Sequence, residues 1–289
     1  MLFHCIFITF AEINANNMKN RIFFCFTLLF LLLAGCASAQ EIKLQPAYSS
    51  GEVMKCNLYF NWKFVWIKAG AATLTVQDTI YNGQKAKCMK LLSSTNKRAD
   101  KFFLMRDTLL TVFTDNYEPL YYRKASLEGS KYRLNQVWYE YLGGNNVKVS
   151  QSFLYRGEPE VFRTDTLQGP IYDMMSLLAY ARNIDFASLK KGERHTFQVA
   201  TGKRIEPQHI VYRGKKRTKS DQDVKYDCFR VSLITEKKGK EKEILNFHIT
   251  DDDNHLPVLL DLVLNFGSAK ARLLSVKGLK HPLTSVIDD

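Results

Sequence analysis

Cys36 is the residue of this chain whose surroundings most directly indicate a chemical reaction. It ends the sequence Leu33-Ala34-Gly35-Cys36, which matches a lipobox, where small residues precede a cysteine whose thiol accepts a diacylglyceryl group. The next residues, Ala37-Ser38-Ala39 before Gln40, match the A-x-A pattern of ordinary signal peptidase. The sequence therefore favours lipidation at Cys36 and leaves simple secretion as the alternative.

An acidic run, Asp251-Asp252-Asp253-Asn254-His255, offers several oxygen atoms of the kind that Ca²⁺ prefers. The run lacks the glycine and the trailing glutamate of an EF-hand loop, and it falls between two predicted strands, where an Asp/Asn-rich turn is expected. We therefore predict a turn here, with no metal and no cofactor. Asp251 and Asp253 remain candidates for a polar site, together with Asp173 and Arg182 on a predicted helix.

Sequence motifs of catalysis give no reason to predict an enzyme. No G-x-S-x-G elbow is present, and the six histidines show neither H-x-x-x-H nor H-E-x-x-H spacing. We therefore predict no catalytic residue and a non-enzymatic protein. Two alternatives stay open: an assembly or scaffold component, and a hydrolase of envelope polymers that would use Asp173, Arg182 and the acids at 251–253.

The N-terminal segment has the anatomy of a bacterial signal peptide. Lys19 and Arg21 precede an apolar run of about a dozen residues, which is too short to cross a hydrocarbon core of ~30 Å comfortably. Residues 1–17 carry Glu12 and no lysine or arginine, so translation from Met18 gives a better signal. We predict a signal peptide over 1–36, a tether over 37–50, one β-rich domain over 51–280 and a tail over 281–289.

The chain is basic, with a formal charge of +12 that falls to about +11 once residues 1–36 are removed. Such an excess of positive charge favours anionic binding partners. Export of the protein argues against nucleic acid as one of them. The expected location is a membrane-anchored lipoprotein facing the periplasm or the outer membrane, with a soluble periplasmic or secreted protein as the alternative. The expected partners are the membrane, reached through the lipid anchor, and a lipid, a polysaccharide or an envelope protein.

Three cysteines follow the predicted signal peptide: Cys56, Cys88 and Cys228. An odd number without CxxC spacing argues against a metal knuckle and against a dense disulfide framework. One bridge is compatible with an oxidising compartment, and Cys56 with Cys88 is then the most plausible pair. Free buried thiols are an equally acceptable reading.

The remaining sequence has the alternation of a β-rich protein. Apolar residues occupy every even position from Met54 to Trp66, which predicts a single long half-buried strand, and the small residues at 69–72 predict a bulge or bend in the same strand pattern. Turn signals such as Asn82-Gly83 separate about a dozen further strands. One helical pattern extends from Asp173 to Arg182. We predict a mostly β fold, a large antiparallel sheet that is rolled or closed (β-roll or barrel-like), with one central helix.

Three groups of residues resemble a family of bacterial exported proteins known as domain of unknown function 3108. They are Gly51-Glu52 with Tyr59, Trp62 and Ala69-Gly70-x-Ala72; Tyr172-Asp173-x-x-Ser176-x-x-x-Tyr180-x-Arg182; and Asp253-x-x-x-Pro257-Val258. The sequence departs from the family pattern at Ile249-Thr250, where an aromatic residue usually precedes the acidic run. The resemblance implies one exported, rolled β domain without assigned chemistry, with a fold similar to that of capsule-associated lipoproteins with a spiral β-roll.

Overall fold

The structure is a computed structural model that describes residues 44, 47–62, 65–237, 239–264 and 267–288. These residues belong to one compact unit, Lys43–Asp289. The predicted signal peptide, the alternative start at Met18 and the lipidation site Cys36 lie outside the described residues. Within the described part of the chain, no helix is long and apolar enough to cross a membrane.

Sixteen strands and one α-helix make up the regular structure of the described residues. The strands are β1 Val53–Trp62, β2 Val65–Tyr81, β3 Gln84–Thr95, β4 Met105–Phe113, β5 Pro119–Glu128, β6 Lys131–Gly143, β7 Asn146–Tyr155, β8 Val161–Gln168, β9 Ile171–Tyr172, β10 Arg194–Ala200, β11 Ile205–Lys219, β12 Lys225–Lys237, β13 Lys240–Thr250, β14 Pro257–Leu264, β15 Gly267–Lys277 and β16 Val286–Ile287. The helix, α1, comprises Met174–Ala181, and short 3-10 turns occupy Ala99–Lys101 and Phe186–Ser188.

All strands belong to one sheet. Their order is β8-β7-β6-β5-β4-β3-β2-β1-β15-β14-β13-β12-β11-β10-β9, and β16 pairs with β12 outside this path. Among the described strands, every pairing is antiparallel except that of β9 with β10, where Gln198 stands opposite Ile171. The prediction of a mostly β, antiparallel fold with one helix is confirmed. Closure is not seen, because the order of hydrogen-bonded strands ends at β8 and β9.

The first predicted strand is a hairpin, so the prediction of one continuous strand from Met54 to Trp66 is wrong. β1 ends at Trp62 and β2 returns antiparallel, with Trp62 opposite Val65 and Met54 opposite Leu74. The apolar series at even positions gave no sign that the chain reverses direction between β1 and β2. Val65, Trp66 and Ile67 are all apolar although they project to both faces of the sheet.

The predicted bulge is present where β2 passes the small residues. The register shifts between Leu58 and Tyr59, which stand opposite Gly70 and Lys68, so that Ala69 is the extra residue. A Cβ atom added to Gly70 would collide with the backbone carbonyl group of Ser94 on β3. Glycine is therefore required here by the close approach of two backbones.

Substitution of this glycine is expected to destabilise the sheet. Gly70→Ala should lower the free energy of unfolding by about 1–3 kcal/mol, because β2 and β3 must separate to admit the methyl group. Chemical denaturation measures the loss. Ala71→Ser is the matched control, since it adds one atom at the neighbouring exposed position. Equal unfolding midpoints for the two variants would contradict the assigned role of Gly70.

The Asn82-Gly83 turn is confirmed and joins β2 to β3. Asn82 has φ +50° and Gly83 has φ +82°, which are the positive angles that a two-residue hairpin turn of the primed type requires. Such a turn keeps the strands in register, since Tyr81 stands opposite Gln84.

The main hydrophobic core lies on the face of the sheet that packs against α1, called the core face below. α1 contacts β3, β4, β9 and β10. Met175 and Ala179 of the helix are buried in the same cluster as the strand residues Leu74, Val76, Met89, Leu109, Phe113, Tyr122, Val137 and Val149. Burying a large apolar side chain stabilises the folded state by about 1.5–3 kcal/mol, so this cluster fixes which face of each strand points inward.

Both ends of the described chain pack against the rest of the domain. Ala47 and Tyr48, within the segment assigned to a tether, are buried, and Tyr48 donates a hydrogen bond to the carbonyl oxygen of Ala179 at 3.1 Å. In the segment assigned to a tail, β16 pairs with β12 through Val286 and Tyr226.

The three cysteines of the described residues are free. The suggested bridge between Cys56 and Cys88 is therefore not formed. Cys56 belongs to the main core, whereas Cys88 packs beside Ala86 and Val112 in a small cluster on the opposite face of the sheet. Two thiols on opposite faces of one sheet cannot reach the geometry of a disulfide.

Candidate functional site

Asp173 is a fully buried cap at the N-terminus of α1. Its Oδ1 accepts hydrogen bonds from the backbone N–H groups of Met175 and Ser176, both at 2.8 Å, and its Oδ2 accepts one from the hydroxyl of Thr111 on β4 at 2.9 Å. Ser176 Oγ accepts from the N–H of Asp173 in return, which completes a capping box. Burial raises the pKa of Asp173 to about 6, while these hydrogen bonds oppose the rise.

Arg182 ends the same helix and is also buried. Its guanidinium donates to Glu52 Oε1 at 2.6 Å and Oε2 at 3.1 Å, and to the carbonyl oxygens of Asn254 at 3.0 Å and His255 at 3.2 Å. The same group lies over the ring of Tyr48, 4.9 Å from its centroid. All of these donors are thus engaged by a residue just before β1 and by the turn at 251–255.

The acidic run forms the predicted kind of connection between β13 and β14. Asp251 pairs with Lys215 at 2.5 Å, and Asp253 is exposed. Asp252 Oδ1 accepts from Thr250 Oγ1 at 2.8 Å, and its Oδ2 accepts from Ser285 Oγ at 2.7 Å. Within the described ranges, no three His, Cys, Asp or Glu residues are grouped so that they could hold a metal ion.

The four predicted polar residues are therefore not assembled into one site. Arg182 meets the turn at 251–255 through backbone carbonyls rather than through the carboxylates of Asp251 or Asp253. Asp173 lies at the other end of α1, and Asp251 is turned toward Lys215. Their described contacts are those of a cap, a buried ion pair and a turn.

A second polar region lies on the core face and was missed from the sequence. On this face, rows of cross-strand neighbours begin with apolar residues on β2 and end with polar residues on β7 and β8. One row consists of Val76, Met89, Thr111, Tyr122, Val137, Gln151 and Arg163. The next row consists of Ala72, Ser93, Asp107, Ser126, Arg133 and Tyr155. A third row runs through Lys124, Asn135 and Phe153 to the exposed Val161 on β8. We call the polar ends of these rows the polar patch: Asp107, Lys124, Ser126, Glu128, Arg133, Asn135, Gln151, Phe153, Tyr155 and Arg163.

The turn between β10 and β11 rests against one side of the polar patch. Asn135 Nδ2 donates to the carbonyl oxygen of Thr201 at 2.8 Å, and the N–H of Gly202 donates to Gln151 Oε1 at 3.0 Å. Lys203 Nζ lies 4.0 Å from the centroid of the Phe153 ring. These contacts bring the β6–β7 and β10–β11 regions together without strand pairing.

Charged groups in the patch are arranged beside aromatic rings. Arg133 pairs with Glu128 at 2.9 Å and lies 5.7 Å from the centroid of the Tyr155 ring. On β8, Arg163 pairs with Asp165 at 2.6 Å, and the Arg163 side chain is 56% exposed. Guanidinium groups held in this way keep donors available at the surface of the patch.

Two buried polar atoms of the patch have no hydrogen-bond partner among the described residues. They are Asp107 Oδ1 and Gln151 Nε2. Burial raises the pKa of Asp107, and the nearby Lys124 lowers it in part. The alternation of Asp107 with Leu109, Thr111 and Phe113 was a signal available in the sequence, because it places Asp107 on an inward-facing position.

A shallow groove of about 310 Å³ lies nearby, across β2, β3 and β4. Its lining includes Ala71, Thr73, Leu92, Ser94, Arg106 and Thr108. Most of these positions alternate with core-face residues, but Ser93 and Asp107 of the core face also line the groove, so it reaches the polar patch at Asp107.

Comparison with known proteins identifies relatives without a described activity. Residues 55–274 match the family described as "Protein of unknown function (DUF3108)". A beta-barrel-like protein of domain of unknown function DUF1849 from Brucella abortus is similar in structure, with a TM-score of 0.50 and 11% identity over 82% of this chain and 98% of that one. A protein from Bacteroides fragilis described as exported, with a YmcC-like fold, aligns with a TM-score of 0.32 and 8% identity over 81% of this chain and 99% of that one. No curated protein has a significantly similar sequence.

Proposed function

The chain belongs to the family of proteins of unknown function DUF3108, and from that premise we propose that it is a non-enzymatic cell-envelope protein that binds an acidic glycan on its polar patch. The proposal rests on one observation. The core face, which is apolar and covered beside α1, becomes polar and accessible toward β8, where cations and aromatic rings lie side by side.

A glycan suits this chemistry because its hydroxyl groups need donors and acceptors in close alternation. The pair Arg133 with Glu128 and the pair Arg163 with Asp165 offer both. Tyr155 provides an aromatic ring on which the apolar face of a sugar ring can stack, and its ring already lies beside the Arg133 guanidinium.

The charge of the patch favours an acidic glycan over a neutral one. Lys124, Arg133, Arg163 and the adjoining Lys203 face the acids Asp107, Glu128 and Asp165. Burial raises the pKa of Asp107, and the nearby Lys124 lowers it in part. The cations are therefore in excess, and a uronate carboxylate is a suitable partner for an arginine fork.

We infer that the protein is exported by its signal peptide and held by a diacylglyceryl group on Cys36, facing the periplasm or the outer membrane. The sheet is taken to curve as a roll around α1, so that the polar patch lines its inner side. A binding role is preferred to a hydrolytic one because Asp173, Arg182 and Asp251 are engaged in internal bonds.

Binding of soluble oligosaccharide probes tests the proposal. We expect polygalacturonate oligomers to bind and dextran oligomers of equal length to bind at least tenfold more weakly in calorimetric titration. Arg133→Ala and Tyr155→Ala should each weaken polygalacturonate binding by about tenfold, which corresponds to about 1.4 kcal/mol. Arg123→Ala is the matched control, because Arg123 lies on β5 with its side chain on the opposite face.

Other results of these titrations would contradict the proposed ligand, the proposed site or the proposed binding role. Failure of polygalacturonate to bind, or equal binding by dextran, would exclude an acidic glycan as the ligand. Unchanged affinity in Arg133→Ala and Tyr155→Ala would exclude the polar patch as its site. Cleavage of the oligomers during the titration would instead support the hydrolase alternative.

A further inference from the structure

Two chain segments, the start of β2 and the connection after β3, bring exposed apolar residues to one end of the sheet. Gly70 of β2 stands opposite Thr95 of β3, so the connection after β3 lies beside the start of β2. Asn96 fixes this arrangement, since its N–H donates to the carbonyl oxygen of Ala69 at 2.8 Å and its Nδ2 donates to that of Lys68 at 3.0 Å. β15 adjoins from the other side, where Ala269 stands opposite Phe60.

The apolar side chains at this end are strongly exposed. Phe102 is 91% exposed, Val65 61%, Ile67 49%, Phe103 46% and Trp66 38%. We call these five residues the apolar rim. A soluble protein rarely leaves several large apolar side chains together in water, and such a group indicates a surface that is covered by a partner.

The exposure of Phe102 and Phe103 is held in place by a hydrogen-bonded turn. Asn96 Oδ1 accepts from the N–H groups of Arg98 and Ala99, and Phe102 and Phe103 donate their N–H groups to the carbonyl oxygen of Ala99. Asp100 accepts from Arg106 at 2.5 and 3.0 Å. The two phenylalanines are therefore presented by an ordered segment, which reduces the entropy lost when they are buried.

Cations surround the apolar rim. Lys68 follows Ile67, and Lys97, Arg98 and Lys101 lie in the turn that carries Phe102; all four are exposed. Lys270 Nζ lies 4.2 Å from the centroid of the Trp66 ring. The acids nearby are already paired, since Asp100 bonds to Arg106 and Asp261 lies 3.8 Å from Lys270. The rim is thus apolar at its centre and positive around it.

We propose that this end of the sheet docks on an anionic phospholipid surface, with the apolar rim inserted at the headgroup boundary and the surrounding cations on lipid phosphates. Tryptophan and phenylalanine are suited to that boundary, and lysine and arginine extend their charges toward the headgroups. The diacylglyceryl group on Cys36 would already supply two acyl chains, so this contact would orient the domain on the membrane rather than hold it there. The docking surface shares no residue with the polar patch and does not depend on glycan binding.

Vesicle binding of the unacylated protein tests this surface. The form to use is residues 40–289, the product of A-x-A cleavage, which contains the whole compact unit Lys43–Asp289. It should sediment with vesicles of phosphatidylcholine and phosphatidylglycerol, and less with vesicles of phosphatidylcholine alone. Raised salt should weaken the binding, because the cations contribute through electrostatic attraction that salt screens.

Variants test whether the apolar rim and its surrounding cations are responsible for vesicle binding. Phe102→Ser with Phe103→Ser should weaken vesicle binding by at least about tenfold, and Lys97→Gln with Lys101→Gln should remove most of the preference for phosphatidylglycerol. Tyr141→Ser with Leu142→Ser is the matched control, because these residues are 39% and 51% exposed at the opposite end of the sheet. Circular dichroism of each variant checks that the fold is retained.

Two results would overturn the inference. One is equal vesicle binding by the rim variants and the control variant. The other is a self-association, measured by sedimentation velocity, that the Phe102→Ser, Phe103→Ser variant abolishes while the unaltered protein does not bind vesicles; the rim would then be an interface between two copies of the chain.

Discussion

Replacement of Arg182 by alanine is expected to lower the free energy of unfolding by about 3–5 kcal/mol, the range for breaking one partner of a buried ion pair. The loss arises because Glu52, 1% exposed, would keep a charge without its partner, and the carbonyl oxygens of Asn254 and His255 would lose their donors. Chemical denaturation at neutral pH measures it. A variant too unstable to purify can be ranked by its yield and by its resistance to proteolysis.

Two further variants identify the origin of the loss. Arg182→Met combined with Glu52→Leu removes both charges, yet it should stay less stable than the unaltered protein because the two carbonyl oxygens remain unsatisfied. Arg194→Ala is the matched control, since Arg194 pairs with Glu241 at 2.5 Å on the surface and its loss should change stability by about 1 kcal/mol or less. An Arg182→Ala protein as stable as Arg194→Ala would show that the buried pair is not a structural element.

Replacing Asp173 by alanine and by asparagine should distinguish how its helix cap and its charge each affect stability. Asp173→Ala is expected to cost about 2–3 kcal/mol, because it removes the cap of α1 and leaves the hydroxyl of Thr111 without its acceptor. Asp173→Asn keeps an oxygen acceptor for the N–H groups of Met175 and Ser176. It should therefore be at least as stable as the unaltered protein at neutral pH.

The pH dependence of stability distinguishes Asp173→Asn from the unaltered protein. The pKa of Asp173 is raised to about 6 in the folded state, so the folded protein binds a proton more tightly than the unfolded chain does. The stability that this carboxyl contributes is complete below pH ~4, falls between pH ~4 and ~6, and is lower by about 3 kcal/mol above that range.

Only the difference in the free energy of unfolding between the two proteins reports on Asp173, because the other carboxyl groups titrate in both. The stability of Asp173→Asn relative to the unaltered protein should therefore rise from pH 4 to pH 6.5 and then remain level. Denaturation curves across this range supply the measurement. Parallel pH profiles for the two proteins would show that Asp173 is not held in a site that opposes its ionisation.

The elements of this fold that depend on nearby residues were predictable from the sequence. α1 has the limits expected from its pattern, with Asp173 as N-cap and Arg182 as C-cap, because caps and helical periodicity are local properties. The Asn82-Gly83 turn was predictable for the same reason. The β1–β2 hairpin was missed because Val65, Trp66 and Ile67 carry no alternation, and their exposure follows from their place at the end of the sheet.

The candidate sites depend on contacts between residues far apart in the chain, which a local pattern does not encode. Glu52 and Arg182 are separated by 130 positions, and the Gln151 contact with Gly202 spans 51. Likewise, the polar patch arises only when β4 to β8 are aligned in register, so that polar ends of separate strands become neighbours. The sequence indicated that Asp173 and Arg182 are polar residues on a helix, but not which residues they meet.

Occupation of the polar patch by a ligand can be measured by hydrogen–deuterium exchange of residues 40–289 with and without polygalacturonate oligomers. The expected result is slower exchange in β5 to β8 and in the turn at 201–204 when the oligomers are present, with the exchange of β1 and β2 unchanged. Exchange that is unaffected throughout, or slowed only at the β1–β2 end of the sheet, would contradict occupation of the polar patch.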